Sequence, residues 1–111
     1  MVEVVWAYGV KEAGRHQFEL AFGPGGAWSR LVGQAEGFRG TTLLGDTRNP
    51  MRYLVIDLWE TEAQASLAKS AHDELLAALA EWVKTSTELG TFSVRAQGTV
   101  RPVGNKRRRK G

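Results

Sequence analysis

The stretch Gly37–Glu60, GFRGTTLLGDTRNPMRYLVIDLWE, decides the fold. Its second half, Arg52 to Trp59, is rich in β-branched, aromatic and leucine residues and contains neither Gly nor Pro, the composition of a central strand. A period of two puts Tyr53, Val55, Asp57 and Trp59 on one side and Arg52, Leu54, Ile56 and Leu58 on the other. Both sides carry apolar surface, so both need a cover. Upstream, Asp46-Thr47-Arg48-Asn49-Pro50 has no apolar residue and combines Asp, Asn and Pro, the chemistry of a hairpin loop. The stretch therefore reads as two antiparallel strands joined by a turn.

Working outward, Val2–Val10 alternates as a further strand, with Val2, Val4, Trp6, Tyr8 and Val10 on its better-covered face. A helix is expected from Glu12, carrying Phe18 and Phe22 on one side, and Gly23-Pro24-Gly25-Gly26 must interrupt it. Helical spacing resumes at Trp28, Leu31, Val32 and Ala35. After the hairpin, Thr61 with Gln64 and Ser70 with Asp73 each have capping-box spacing, which predicts two short helices or one kinked helix. Leu75, Leu76, Leu79, Trp82 and Val83 form an apolar helical stripe, Gly90 is expected to end that helix, and Thr91–Gly98 supplies a last strand. The order strand, helix, strand, strand, helix, strand predicts an α+β domain over residues 1–98, a four-stranded antiparallel sheet with helices on one face. Its second, apolar face calls for another copy of the chain, so a homodimer is expected.

Composition narrows the function classes. The 111 residues carry a net charge of +3, of which Lys106, Arg107, Arg108, Arg109 and Lys110 supply +5, so the remainder stands at −2. The basic character belongs to a tail, 99–111, expected to be disordered, and the rest shows no basic stripe for nucleic acid. The sequence has no Cys and no apolar run near the roughly 20 residues of a membrane span. A cytoplasmic protein with no membrane or nucleic-acid partner is expected. Gly23-Pro24-Gly25-Gly26 follows a helix and lacks the Lys-Ser/Thr of a phosphate loop, and two distant histidines give no metal-ligand spacing, so no metal is expected.

Several segments resemble the antibiotic biosynthesis monooxygenase family of the dimeric α+β barrel superfamily. They are Phe18-Glu19, Phe22-Gly23-Pro24-Gly25-Gly26-Ala27-Trp28-Ser29-Arg30-Leu31, Gly37-Phe38-Arg39-Gly40-Thr41, Leu43-Leu44-Gly45-Asp46 and Arg52–Glu60. The resemblance covers about residues 1 to 98 and rests on fold signatures, not catalytic motifs. It implies a ferredoxin-like βαββαβ protomer, a dimer whose sheets face each other, and a ligand cleft between sheet and helices. Characterised relatives include cofactor-free oxygenases of polycyclic phenols or quinones, haem-degrading enzymes and proteins with no known reaction. Haem degradation in the family goes with an Asn on the first strand, and Val2–Val10 contains none.

The leading expectation is a cofactor-free monooxygenase for a small aromatic ligand, against a non-catalytic binding or structural dimer. His72 shares the apolar face of Leu75, Leu76 and Leu79 and is the first candidate for the base. Its structural alternative is a first-turn residue bonded to backbone. Trp28, Trp59, Phe22, Tyr53 and Trp82 are the candidate walls for a planar ligand, though aromatics in a small core need no ligand to explain them. Asp57, a carboxylate in an apolar strand, should find Arg39, Arg52, Arg95 or a partner chain.

Overall fold

The computed structural model describes residues 1–98, and the basic tail expected at 99–111 lies outside them. Four strands, β1 (Val2–Val10), β2 (Phe38–Gly45), β3 (Arg52–Trp59) and β4 (Val83–Ser93), form one antiparallel sheet in the order β2-β3-β1-β4. Helices α1 (Arg15–Phe22), α2 (Ala27–Val32), α3 (Glu62–Leu67) and α4 (Lys69–Ala78) complete the expected ferredoxin-like α+β arrangement. A single 3-10 turn, Glu12–Gly14, precedes α1 where the helix was expected to start.

The alternation read from β3 holds along its length: Tyr53, Val55, Asp57 and Trp59 are buried, while Leu54, Ile56 and Leu58 are half-buried on the opposite face. Tyr8 and Val10 of β1 join the buried side, and Phe18, Ala21, Phe22, Trp28 and Val32 close over it from α1 and α2. The hairpin loop forms as its composition demands, since Asp46 Oδ1 accepts from the backbone N–H of Arg48 at 2.8 Å and of Asn49 at 3.3 Å. Between α1 and α2 the chain reverses closely enough that Gly26 packs on the carbonyls of Leu20 and Ala21, where no Cβ would fit. Thr61 and Gln64 make the expected capping box, each side chain bonding the other's backbone N–H at 3.2 Å.

Three expectations are corrected. The second capping box is absent: α4 follows Ala68, which keeps helical geometry, and no Ser70 cap is made. The Leu75-to-Val83 stripe is not one helix, because α4 stops at Ala78, the chain turns through Leu79–Trp82, and Val83 opens β4. Gly90 consequently lies inside β4, with φ of 151°, instead of capping a helix. The physical reason is the free edge of β1, whose backbone groups pair with residues Val83 to Ser93. That ladder satisfies more backbone than two further helical turns could.

Two of the sheet's register shifts, in the strands flanking the central pair, shape the site. In β2 the register jumps between Phe38 and Gly40, which brings Thr41 opposite Asp57. In β4 it jumps between the partners of Val5 and Trp6, so Leu89 is extra and both Glu88 and Thr91 come to the helix side of the sheet.

Candidate functional site

Between the sheet and the α3–α4 segment lies a half-open cleft of about 170 Å³. Its walls are the indoles of Trp6, Trp28 and Trp59, and its floor includes Val4 and Asp57. Glu62, Lys69 and His72 approach from α3 and α4, and Glu88 and Thr91 from β4. Trp28, Trp59 and His72 thus meet as neighbours of one opening. Phe22, Tyr53 and Trp82 are not among its lining residues. Phe22 lies in the core behind Trp28, with ring centroids 6.2 Å apart. Tyr53 packs on Phe18 at 4.9 Å and donates its hydroxyl to Glu19 Oε2 at 2.5 Å, near the other end of β3. Trp82 sits over Gly14, which leaves it room by having no Cβ.

His72 is 4 % exposed and is held on two sides. Trp6 covers its ring with centroids 3.9 Å apart, and Trp28 meets it edge-on at 5.8 Å. Nε2 lies 2.5 Å from the Tyr8 hydroxyl. Burial lowers the imidazole's pKa, so the ring is neutral near pH 7, and burial together with the nearby Asp57 charge raises that of Tyr8, whose hydroxyl keeps its proton. Nδ1 is sealed from solvent with no hydrogen-bond partner, and the Asp73 carboxylate at 3.6 Å is beyond bonding range but near enough to favour a proton there. Tyr8 therefore donates to Nε2, and neither ring nitrogen is free toward the cleft.

Asp57 is likewise 4 % exposed, and among the described residues it pairs with none of the expected arginines. Arg39 pairs with Glu60, and Arg52, which alternation puts on the opposite face, lies 3.4 Å from Asp46. The carboxylate is held by neutral donors instead: the Trp28 indole N–H at 3.0 Å and the Thr41 hydroxyl at 2.6 Å, both on Oδ1. Burial raises its pKa, and the two donors partly counter that. Oδ2 takes no hydrogen bond among the described residues, yet it is not a sealed atom. Since Asp57 lines the cleft and Oδ1 is occupied, Oδ2 is the carboxylate atom left to meet an occupant. Sequence reasoning passed over Trp6, Thr41 and Glu88. Only the two bulges put Thr41 and Glu88 on this side, and a bulge leaves no periodic signal.

The model of the antibiotic biosynthesis monooxygenase family matches residues 1–78, more than half of the chain. This chain belongs to that family. Among solved structures, it is similar to SnoaB, a cofactor-independent oxygenase from Streptomyces nogalater, at 24 % identity over 86 % of this chain and 94 % of that one, TM-score 0.66. It is also similar to MhuD, a heme-degrader from Mycobacterium tuberculosis, at 23 % identity over 89 % of this chain and 100 % of that one, TM-score 0.65. At such identities the likeness of this monooxygenase-family chain to either is a likeness of fold. No curated protein matches the chain. Among the described residues no helix is long and apolar enough to cross a membrane, and no three His, Cys, Asp or Glu converge to hold a metal ion.

Proposed function

We propose that this protein is a cofactor-independent monooxygenase of a small aromatic substrate, a phenol, quinol or polyketide-like ring, working as a homodimer. The observation that carries this reading is a tryptophan-walled cleft with one buried carboxylate whose Oδ2 is free. An activated ring CH₂, as in an anthrone or the keto tautomer of a phenol, loses a proton to Asp57, and the resulting carbanion supplies the electrons that reduce dioxygen. One oxygen atom becomes the new carbonyl, the other leaves as water with the two hydrogens of the CH₂, and Asp57 returns its proton to the departing oxygen. The indoles exclude water and stack on the ring while the neutral His72–Tyr8 pair closes the inner wall. Haem suits the site poorly, because Nε2 of His72 is held by Tyr8 and about 170 Å³ is little room for a porphyrin.

The test is oxygen uptake by chelator-treated protein with a panel of anthrone-like and hydroquinone substrates and no added flavin. Consumption of one O₂ per product supports the oxygenase. Saturable ligand binding without uptake on any of them favours the non-catalytic binding module.

For the dimer, support comes from the uncovered face of the sheet, where Leu54, Ile56 and Leu58 are half-buried, Leu44 is 43 % exposed and Phe92 53 % exposed. A patch of this kind is rare on a monomer. Sedimentation at micromolar concentration is expected to give twice the 12.2 kDa chain mass, and Ile56→Asp to shift it toward one. A monomeric wild type would remove the dimer from the proposal.

A further inference from the structure

Resting on the oxygenase reading of the same cleft, we infer that its substrate is an aromatic ring carrying a protonated amine. Five ionisable side chains line the cleft: Asp57, Glu62, Lys69, His72 and Glu88. Three carboxylates against one lysine leave a formal balance of −2, with His72 uncharged in its buried setting. Lys69 does little to offset this beyond its own neighbour, since it stands 3.8 Å from Glu88. A cleft with low-dielectric walls concentrates such a field and raises the local concentration of cations.

The hydrogen bonding of one of these carboxylates points the same way. Asp57 is 4 % exposed, and Oδ2 opens to the cleft without a partner, so the carboxylate asks the occupant for a donor or a positive charge. The indole faces add to this, because their quadrupoles attract a cation that comes within about 6 Å. An anionic occupant meets the opposite situation. With Asp57 protonated, the carbanion that the oxygenase reaction forms would still face the carboxylates of Glu62 and Glu88, unless the same molecule carries a positive charge a few ångströms away. An ammonium on a short side chain supplies it. The geometry accommodates the pair: about 170 Å³ compares with the about 150 Å³ of an engineered cavity that takes benzene, so one ring fits inside. Its side chain then leaves through the open side, where the exposed Glu62 and Glu88 stand.

Calorimetric titration of the full chain under nitrogen tests the inference with three catechols of one shape: dopamine, its alcohol analogue hydroxytyrosol, and 3,4-dihydroxyphenylacetate. Dopamine is expected to bind about tenfold more tightly than the alcohol, the scale of one desolvated cation–aromatic contact with a carboxylate nearby, and the acid to bind most weakly. The double variant Glu62→Gln/Glu88→Gln, at exposed positions that leave the core untouched, should lose most of the amine preference while retaining the alcohol. Asp57→Asn should lower it independently. Equal or undetectable binding of all three, or a preference that survives both variants, overturns the inference. The readout is binding without oxygen, so it separates from the oxygenase reading. A protein that selects the amine but consumes no oxygen keeps this inference and ends that reading, and one that oxidises neutral hydroquinones with no amine preference does the reverse.

Discussion

Trp28→Ala is expected to remove most of the stability of the fold. Trp28 is 2 % exposed on a helix of only six residues, and its indole joins three parts of the structure. It packs on Phe22 of α1, meets His72 of α4 edge-on at 5.8 Å, and donates to Asp57 of β3 at 3.0 Å. Truncating a buried Trp costs about 3–5 kcal/mol, and leaving Asp57 short of a donor adds about 1–3 kcal/mol. Domains of this size have about 5–15 kcal/mol in all. At roughly 4–8 °C per kcal/mol, the melting temperature should fall by about 20 °C or more. Trp28→Phe separates the two contributions, because it keeps most of the packing and loses only the N–H. Its loss should be well under half that of the alanine variant in thermal melts followed by circular dichroism. Equal losses for the two variants would mean that the hydrogen bond to Asp57, not the packing, holds α2 in place.

Trp28 also shows what was legible in the sequence. Its placement follows from local signals: the Gly-Pro-Gly-Gly break, the resumed helical spacing, and the alternation that puts Asp57 and Trp59 on the covered face of β3. For β1 and β3, read from their own alternation, the reading and the structure agree. They part where pairing between distant strands decides. The last helix is shortened by the pairing of Val83–Ser93 with β1, a non-local gain that overrides a good helical stripe. Thr41 reaches Asp57 and Glu88 reaches the cleft through register shifts at Arg39 and Leu89, and neither shift can be read from a strand's own alternation. Thr41 and Glu88 were therefore hidden, while Trp28, Trp59 and His72, on continuous periodic segments, were in view. Asp57 is the intermediate case: the sequence showed that it must be paired but offered arginines, because the indole and hydroxyl donors were not yet known to lie opposite it.

Asp57→Asn is expected to lower turnover by on the order of 100-fold or more, the usual scale for a positioned acid or base, while His72→Gln leaves it near the wild-type value. The asymmetry follows from which atoms are free. In Asp57→Asn the side-chain carbonyl can still accept from Trp28 and Thr41 in the position of Oδ1, so the fold and the ring-binding walls persist, but the NH₂ group that replaces Oδ2 cannot take a proton. His72→Gln can still accept from Tyr8, whose hydroxyl already occupies Nε2 in the native protein. The sign of the pH dependence follows as well. A base must be ionised to act, so turnover falls as pH drops through the pKa of Asp57, which burial raises above its ordinary value. That acid limb should disappear from the residual activity of Asp57→Asn. It should survive in His72→Gln. If instead His72→Gln loses as much turnover as Asp57→Asn and takes the acid limb with it, the imidazole is the base after all. Tyr8 would then have to release Nε2 when substrate enters, and Asp57 would be a positioning residue that holds Trp28 against the ring.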